Sequence, residues 1–254
     1  MKKFLLLLTL CTLTPLFSLS EKVALVTGSS RGIGASIVKH LAQEDFIVYA
    51  TMRNPQNAPD FNSDRVIVKR LDVTDETQIQ EVVDEIFQEH QRLDLLVNNA
   101  GFGLVSPLEL VSKEQMDAQL QTNFYGPMLL MQAALPYMRQ QKSGQIINIS
   151  STSGFDPALG LDAYAASKWA LEGLTASLAN YLPNFGIHVS LVEPGPVCTE
   201  IVSHFETGDR ELEENPYDKY VDHLLGWYSQ IIEKGQDPDE VGELVAQIAL
   251  SDAP

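Results

Sequence analysis

Tyr164 and Lys168 are the residues whose types and spacing most directly suggest chemistry. They lie four residues apart in a stretch with helical character, so both side chains emerge on one face, one turn apart. A phenol is a weak acid, and an adjacent ammonium group lowers its pKa by favouring the ionised form. Such a pair can give a proton to a carbonyl oxygen or take one from an alcohol. Because this spacing also arises by chance, the pair gains its meaning from the rest of the chain.

A glycine-rich turn follows the first apolar segment. It reads Thr27-Gly28-Ser29-Ser30-Arg31-Gly32-Ile33-Gly34 and joins a short strand to a helix. Glycines at such a junction permit a tight turn and let backbone N–H groups and the helix N-terminus approach a pyrophosphate. The Gly-x3-Gly-x-Gly spacing in this context predicts dinucleotide binding by Gly28, Ser30, Arg31, Gly32, Ile33 and Gly34.

Arg53 follows the second strand, where a site for NAD(H) usually has an acidic residue that binds the ribose 2′-hydroxyl. Arg31 lies in the glycine loop, and two converging guanidinium groups suit a 2′-phosphate, which arginine binds through paired hydrogen bonds. The pattern therefore predicts NADP(H) as the preferred cofactor, with NAD(H) as the alternative. The competing interpretation is that Arg53 is only a solvated loop residue.

Residues after the third and fourth strands are also candidate cofactor contacts. Asp72 and Val73 follow the third strand, and Asn99, Ala100 and Gly101 follow the fourth. Residues just beyond the carboxyl ends of parallel strands line the ligand crevice of an open α/β sheet. In this interpretation Asp72 accepts a hydrogen bond from the adenine amino group, whereas an Asx turn or helix cap is its alternative role.

These residues need a scaffold of alternating strands and helices. Short apolar segments predict strands at 23–27, 46–50, 66–69, 93–98, 146–150 and 187–192. Helices are predicted at 32–43, 75–90, 112–140 and 163–181, with Pro127 and Pro136 curving or interrupting the third. Apolar strands separated by helices indicate an α/β fold with a single doubly wound parallel sheet and helices on both faces.

Residues 200–235 break this alternation. They are acidic, lean toward helix and contain interspersed apolar residues such as Phe205, Leu224, Trp227 and Tyr228. Such an insertion after the sixth strand suits a lid over an apolar substrate. Ordinary amphipathic packing is the alternative.

Composition excludes some classes of function. The chain has 254 residues, 44% of them hydrophobic, and a formal net charge of −17. No basic stripe is available to neutralise phosphates, so nucleic acid is not predicted as a partner. The five histidines and two cysteines lack the short spacings of metal ligands, so no metal site is predicted.

Residues 1–20 are predicted to lie outside the folded domain, which begins at residue 21. Lys2 and Lys3 precede an apolar run at 4–13 that is short for a membrane span, and Ser18 and Ser20 suit a cleavage site. The pattern predicts a signal peptide and export. A retained hydrophobic leader that anchors a cytosolic domain to a membrane is the alternative.

Three motifs stand in order: Thr-Gly-x3-Gly-Ile-Gly at 27–34, Asn-Asn-Ala-Gly at 98–101 and Tyr-x3-Lys at 164–168. Together they make residues 22 to about 251 resemble a short-chain dehydrogenase/reductase. The runs at 49–53, 170–173 and 193–195 are similar to the branch with 17β-hydroxysteroid and photoreceptor-type retinol dehydrogenases. That family usually has a seventh strand, but the sequence stops about where it would begin, so the seventh strand is predicted to be missing.

The resemblance implies roles for four polar residues. Tyr164 is the general acid/base, and Lys168 lowers its pKa and binds the nicotinamide ribose. Ser151 donates a hydrogen bond to the substrate oxygen, and Asn123 holds a water that links Lys168 to solvent. Ser150 and Ser153 are rivals to Ser151, which is preferred because it lies thirteen residues before Tyr164.

The resemblance also implies contacts beyond these four. Pro194, Gly195, Val197 and Thr199, after the sixth strand, are expected at the cofactor, with Val197 and Thr199 at the nicotinamide amide. The expected substrate contacts are Ser151, Phe155, Leu159, Tyr164 and Phe205. A homodimer or homotetramer through the helices at 112–140 and 163–181 is also implied.

The sequence thus predicts an NADP(H)-dependent oxidoreductase that interconverts an apolar carbonyl compound, steroid-like or retinoid-like, and its alcohol. A protein that binds the dinucleotide as a sensor without turnover is the first alternative. A related epimerase or dehydratase is the second. The intact set of Asn123, Ser151, Tyr164 and Lys168 argues against the first, and the glycine spacing argues against the second.

Overall fold

Six parallel strands form the sheet in residues 21–251, the part of the chain that the computed structural model describes. The strands are β1 (Lys22–Thr27), β2 (Phe46–Met52), β3 (Val66–Arg70), β4 (Leu95–Asn98), β5 (Gly144–Ile149) and β6 (Ile187–Val192). Their order is β3-β2-β1-β4-β5-β6, and every neighbouring pair is parallel. The predicted doubly wound α/β fold is therefore confirmed.

Helices cover both faces of this sheet. They are α1 (Gly32–Gln43), α2 (Glu76–His90), α3 (Lys113–Leu120), α4 (Gly126–Gln141), α5 (Asp162–Ala179), α6 (Asp218–Glu233) and α7 (Pro238–Leu250). One apolar core lies under α2, α4 and the end of α5, and includes Val82, Leu130 and Leu178. The other lies under α1 and α7 and includes Ile37 and Val245. Strands buried on both faces explain the nearly continuous apolar runs in the sequence.

The strand order reverses between β1 and β4. From β1 the chain winds outward through β2 and β3, and then returns to place β4 on the other side of β1. The loops after β1 and β4 therefore leave the sheet in opposite directions and open a crevice at its carboxyl edge. The glycine loop and the Asn98–Gly101 motif both end at this crevice.

The helical region at 112–140 differs in detail from the prediction. Ser112 caps α3 with a capping box, and a π-helical turn at Gln121–Tyr125 joins α3 to α4. The interruption thus comes before Pro127, which lies in the first turn of α4, and Pro136 is accommodated inside that helix. A π-turn widens the helix locally, and such turns often occur at functional sites.

The segment that follows β6 packs across the carboxyl edge of the sheet. Backbone bonds join Val105 and Gly103 to Glu206, at 2.8 and 3.1 Å. The Tyr228 hydroxyl, on α6, donates to the Leu159 carbonyl at 2.7 Å. Residues 200–235 therefore contact the loops that follow β4 and β5.

The predicted leader, residues 1–20, lies outside the described residues. Within 21–251, no helix combines the length and apolar character that a membrane crossing needs. The same residues contain no cluster of three or more His, Cys, Asp or Glu side chains arranged to hold a metal ion. The predictions about export, anchoring and metal stay predictions.

Candidate active site

Tyr164 and Ser151 meet at the carboxyl edge of β5. Tyr164 lies in the first turn of α5, and Ser151 follows β5 and caps the short helix Thr152–Gly154. The Ser151 hydroxyl accepts the Ser153 backbone N–H at 3.2 Å and lies near enough to the phenol to lower the pKa of Tyr164. A carbonyl oxygen placed between the two hydroxyl groups could receive a hydrogen bond from each.

Ser150 and Ser153, the two alternatives to Ser151, have other surroundings. Ser150 and Ser153 are both 4% exposed. The Ser150 hydroxyl lies beside Glu172 rather than Tyr164, and Ser153 contributes its backbone N–H to Ser151. Of the three serines, only Ser151 has a described interaction with the phenol.

Lys168 lies one helical turn after Tyr164 and is almost fully buried. Its Nζ donates to the Ile149 carbonyl at 2.8 Å and lies 5.7 Å from the centre of the Tyr164 ring. Burial lowers the pKa of Lys168 to about 8, although the Glu172 carboxyl raises it. The ammonium group is therefore mainly charged at neutral pH and loses its charge as the pH rises through about 8.

The pKa of Tyr164 is raised overall in the described structure, and the expectation that Lys168 lowers it stays a prediction. Burial raises the pKa of Tyr164, and the Ser151 hydroxyl offsets only part of that rise. The Lys168 ammonium group is bonded to the Ile149 carbonyl at the end of β5.

Asn123 lies in the π-helical turn, and its side chain is fully engaged. Its Oδ1 accepts the Phe102 N–H at 3.1 Å, and its Nδ2 donates to the Phe102 carbonyl at 3.0 Å and to Ser167 Oγ at 3.1 Å. Gly101 packs beside it, since a Cβ there would lie 3.2 Å from Asn123 Oδ1 and 3.9 Å from Lys168 Nζ. The Asn123 side chain thus holds the loop after β4 against α5, and the water that it is expected to bind stays a prediction.

The glycine loop forms a cradle with no room for side chains. Gly28 and Gly32 have φ values of +68° and +53°, which glycine adopts without strain. A Cβ at Gly34 would lie 2.3 Å from the Gly28 carbonyl oxygen, and one at Gly28 would lie 2.8 Å from the Cα of Ala100. The loop after β1 is therefore pressed against the loop after β4.

The N-terminus of α1 is open to an anion. Arg31 occupies the cap position, and no described side chain caps this end or places an acid in its first turn. The N–H groups of Gly32, Ile33 and Gly34 point along the helix axis toward the crevice, where the helix dipole favours negative charge. The cradle and the uncapped helix end together fit the pyrophosphate of a dinucleotide.

Thr27 joins the loops that follow β1 and β4. Its hydroxyl oxygen accepts the N–H groups of Asn99 and Ala100, both at 3.0 Å, and the Asn99 Nδ2 donates to the carbonyls of Thr27 and Gly28 at 2.9 and 3.1 Å. The Asn99 side chain is thus used to hold the loops together. The predicted contact between Asn99 and the cofactor would have to use atoms other than its Nδ2 and its backbone N–H.

The predicted adenosine side of the crevice is more open. Arg31 and Arg53 are both exposed, and Arg31 lies 3.9 Å from Glu200 in a solvent-accessible ion pair. Asp72 Oδ1 accepts the backbone N–H and the hydroxyl of Thr74, which is the Asx turn considered as its alternative role. Val73 is buried beside Gly126. The second oxygen of the Asp72 carboxylate remains for the predicted contact with adenine.

The segment after β6 approaches the glycine loop from the other side. Thr199 lies against Gly32, where its Cγ2 would be 3.1 Å from an added Cβ. The Pro194 carbonyl accepts the Thr152 N–H at 3.0 Å, and the space around Gly195 is open. Val197 is 6% exposed and is paired with Gln236. Of these four predicted cofactor contacts, Thr199 is the one with a described contact to the glycine loop, and Val197 belongs to the apolar core under α1 and α7.

Only part of the predicted substrate side is brought to Tyr164. Phe205 packs in an apolar cluster with Tyr164, Val105, Leu161 and Tyr228. Its ring fills the space beside Gly103, where an added Cβ would lie 2.7 Å from Phe205 Cε1. Phe155 and Leu159, by contrast, are 56% and 65% exposed. These two side chains are not part of the apolar cluster that contains Tyr164 and Phe205.

Comparison with known proteins agrees with this geometry. The short chain dehydrogenase family matches residues 22–210. A 3-ketodihydrosphingosine reductase from Bacteroides thetaiotaomicron is 35% identical over 93% of this chain and 86% of its own length. Retinol dehydrogenase 8 from Homo sapiens is 34% identical over 92% of this chain and 80% of its own. The chain belongs to the short-chain dehydrogenase/reductase family.

A solved structure extends the likeness to three dimensions. A metagenomic short-chain oxidoreductase in complex with NADP is 30% identical, covers 92% of each chain and superimposes with a TM-score of 0.72. Membership of the short-chain dehydrogenase/reductase family makes this protein an oxidoreductase that uses a nicotinamide dinucleotide and a small substrate. The predicted family and reaction class are therefore confirmed at this level.

Three residues of this short-chain dehydrogenase/reductase were not predicted to support the site. Gln119 is fully buried, accepts the Leu104 N–H at 3.1 Å and donates to the Phe102 carbonyl at 2.8 Å. Ser167 binds the Asn123 amide, and Glu172 lies beyond Lys168. Of the three, only Glu172 carried a sequence signal, because it repeats the four-residue interval from Tyr164 to Lys168.

Proposed function

We propose that this protein is an NADP(H)-dependent oxidoreductase that interconverts an apolar carbonyl compound and its alcohol. The observation that carries the proposal is the grouping of the Tyr164 phenol, the Ser151 hydroxyl and the Lys168 ammonium around the end of β5. These groups lie at the crevice whose other wall is the glycine loop. Relatives named as a ketone reductase and as an alcohol dehydrogenase support the same reaction class.

In this proposal the residues of the chain handle the proton. In reduction, Ser151 and Tyr164 hold the substrate oxygen, and Tyr164 donates its proton to that oxygen. The raised pKa of Tyr164 keeps the phenol protonated before the reaction, as a proton donor requires. The charged Lys168 then stabilises the phenolate that forms. NADP(H), when bound, supplies or accepts the hydride.

The preference for NADP(H) rests on Arg53 and Arg31. Both side chains are exposed at the carboxyl edge of the sheet, and within residues 21–251 neither has a buried carboxylate partner that would neutralise it. The 3.9 Å pair of Arg31 with Glu200 is solvent-accessible and is therefore weak. A 2′-phosphate, which accepts paired hydrogen bonds from guanidinium, would compete with Glu200 for Arg31.

The apolar character of the substrate rests on the side chains near Tyr164. Val105, Leu161, Phe205 and Tyr228 form an apolar wall, and the exposed Phe155 and Leu159 extend it to the rim. Val105, Leu161 and Tyr228 are already buried, so the surface that an apolar substrate would remove from water is mainly that of Phe155 and Leu159. Residues 200–235, which supply Phe205 and Tyr228, act as the lid in this proposal.

The test is a titration of residues 21–254 with NADPH and NADH, followed by protein fluorescence and by turnover of apolar ketones and aldehydes. We expect NADPH to bind about tenfold or more tightly than NADH, because the 2′-phosphate adds charge-assisted hydrogen bonds. Arg53→Asp should reverse this preference, whereas Arg139→Asp, an equal charge change on the exposed surface of α4, should leave it unchanged. Binding without turnover of any carbonyl compound would favour the sensor alternative instead.

Export and assembly complete the proposal. We propose that residues 1–20 direct export and are removed before residue 21, and that α4 and α5 carry a homodimer or homotetramer contact. The exposed Tyr125 and Trp169, at 39% and 52%, are apolar surface suited to such a contact. N-terminal sequencing of the purified protein and its sedimentation mass test these two points; a retained residue 1 and a monomeric mass would contradict them.

A further inference from the structure

Glu172 continues the row of chemical side chains on α5. Tyr164, Lys168 and Glu172 are spaced at intervals of four residues within Asp162–Ala179. Residues at this spacing lie on one face of an α-helix, one turn apart. The carboxyl group is therefore the next polar group after the Lys168 ammonium, on the side away from Tyr164.

Two neighbouring buried oxygens on the far side of Lys168 from Tyr164 have no hydrogen bond of normal geometry among the described residues, although the hydroxyl of one is near enough to the carboxyl of the other to lower its pKa. They are Glu172 Oε1 and Ser150 Oγ. Both line one small space beside Gly154, because a Cβ added there would lie 2.8 Å from Glu172 Oε1 and 2.9 Å from Ser150 Oγ. A buried carboxylate oxygen without a partner is costly, so this group needs a specific reason to be there.

The residues around Glu172 come from three elements. Lys168 approaches from α5, Ser150 from the end of β5, and Glu193 from the segment after β6. Lys168 Nζ is held at this end of β5 by its bond to the Ile149 carbonyl, at 2.8 Å, and Ile149 directly precedes Ser150. Glu193 is exposed, so the group of side chains reaches from the buried lysine to solvent.

The electrostatic effects in this group oppose one another. Burial raises the pKa of Glu172, the Ser150 hydroxyl lowers it, the Glu193 carboxyl raises it further, and the Lys168 ammonium lowers it. The Glu172 carboxylate in turn raises the pKa of Lys168. Without this carboxylate, burial would lower the pKa of Lys168 further. The proton affinities of the two groups are thus linked through their charges.

We propose that Glu172 is a positioning residue that keeps Lys168 protonated at neutral and mildly alkaline pH, and that Ser150 and Glu193 set the protonation of Glu172 itself. Glu172 touches neither the substrate nor the cofactor in this account. It acts on the reaction only through the charge of Lys168. The importance of that charge for turnover rests on the proposed function, but the linkage between Glu172 and Lys168 does not.

The linkage is measured on the protein without cofactor. Lysine amines carrying ¹³C-methyl labels are titrated by NMR, and Lys168→Arg identifies the resonance of Lys168 by its absence. We expect Glu172→Gln, which keeps the shape and removes the charge, to lower the pKa of Lys168 by about one unit. Glu44→Gln, the same charge change at the exposed end of α1, should leave the resonance unshifted.

The roles of Ser150 and Glu193 predict shifts of opposite sign. With ¹³C-labelled glutamate carboxyl groups, and Glu172→Gln to assign the resonance, Glu193→Gln should lower the pKa of Glu172 because a nearby negative charge is lost. Ser150→Ala should raise it because the hydroxyl that favours the ionised form is lost. A residue that merely filled space would not give opposite shifts for the two variants.

Turnover then separates this inference from the proposed function. In an active enzyme, Glu172→Gln should move the alkaline decline of the reductive kcat/KM to lower pH by the same interval as the NMR shift. An unshifted Lys168 resonance in folded Glu172→Gln overturns the inference, even if the enzyme reduces carbonyl compounds. A shifted resonance in a protein that lacks all turnover upholds the linkage and overturns only the proposed function.

Discussion

At the scale of single residues, the site depends on protonation states that burial controls. Tyr164 holds its proton tightly and Lys168 holds its proton weakly, since burial moves the two pKa values in opposite directions. Burial penalises the charged form of each group, which is the anion of the phenol and the cation of the amine. The site therefore combines the protonated phenol of Tyr164, which can donate a proton, with the nearby ammonium group of Lys168, which can lose its charge.

Removing the phenolic hydroxyl tests the acid/base role directly. We expect Tyr164→Phe to lower turnover by about 100-fold or more, because a positioned proton donor contributes at least that much, and to leave NADPH affinity nearly unchanged. Tyr181→Phe, a matched change at an exposed tyrosine after α5, is the control. Steady-state kinetics and fluorescence titration measure both quantities, and full activity in Tyr164→Phe would remove Tyr164 from the reaction.

Lys168 predicts a pH dependence. Its pKa of about 8 means that the side chain is mainly charged below that pH and mainly neutral above it. Since the charge stabilises the developing phenolate, we expect the kcat/KM of carbonyl reduction to fall as pH rises through about 8 in the free enzyme. Lys39→Met, a change at an exposed lysine on α1, should keep this profile. A rate that stays level to high pH would contradict the assignment.

At the scale of elements, the crevice exists because two loops fit tightly against each other. Thr27, at the end of β1, accepts two N–H groups from the loop after β4, and the glycine loop has no space for side chains at this contact. Motif spacing predicted the glycine turn and its neighbour correctly. It could not predict which polar groups face the ligand, because Asn99 and Asn123 use their amides to bind backbone atoms.

Two glycine substitutions should have opposite effects. Gly34→Ala puts a Cβ 2.3 Å from the Gly28 carbonyl oxygen. We expect it to weaken NADPH binding and to lower the free energy of unfolding by about 1–3 kcal/mol through overpacking. At Gly173, inside α5, an added Cβ meets nothing within 4 Å. Gly173→Ala should therefore raise the free energy of unfolding by about 0.5–1 kcal/mol. Urea unfolding measures the free energy of unfolding of both variants. Equal changes in the two would contradict the tight packing of the glycine loop at Gly34.

At the scale of the whole molecule, the site is completed by a segment far away in sequence. Leu224, on α6, packs over Gly160, where a Cβ would lie 2.3 Å from Leu224 Cδ1. Phe205 similarly covers Gly103. The apolar face of α6 packs on the loops that surround Tyr164, as the amphipathic-packing interpretation of residues 200–235 requires, and the role of this segment as a lid stays a prediction.

Loosening α6 should separate the lid from the rest of the fold. Leu224 is 5% exposed, so we expect Leu224→Ala to lower the free energy of unfolding by about 3 kcal/mol and to speed proteolysis at residues 206–217. Turnover of apolar substrates should fall, while NADPH still binds at the glycine loop. Gln230→Ala, at an exposed position of the same helix, should change stability by less than about 0.5 kcal/mol. Unchanged proteolysis in Leu224→Ala would contradict the lid.

The sequence by itself determined the sheet, the glycine turn and the spacing of Tyr164 and Lys168, because these depend on local periodicity and short motifs. Only the tertiary structure decided the direction of the Tyr164 pKa, the π-turn at Gln121–Tyr125 and the placement of Glu172 beside Ser150 and Glu193. Burial and contacts between distant segments set these features. Ser150, Glu172 and Glu193 are far apart in sequence, and their separate positions carry no sign that their side chains meet.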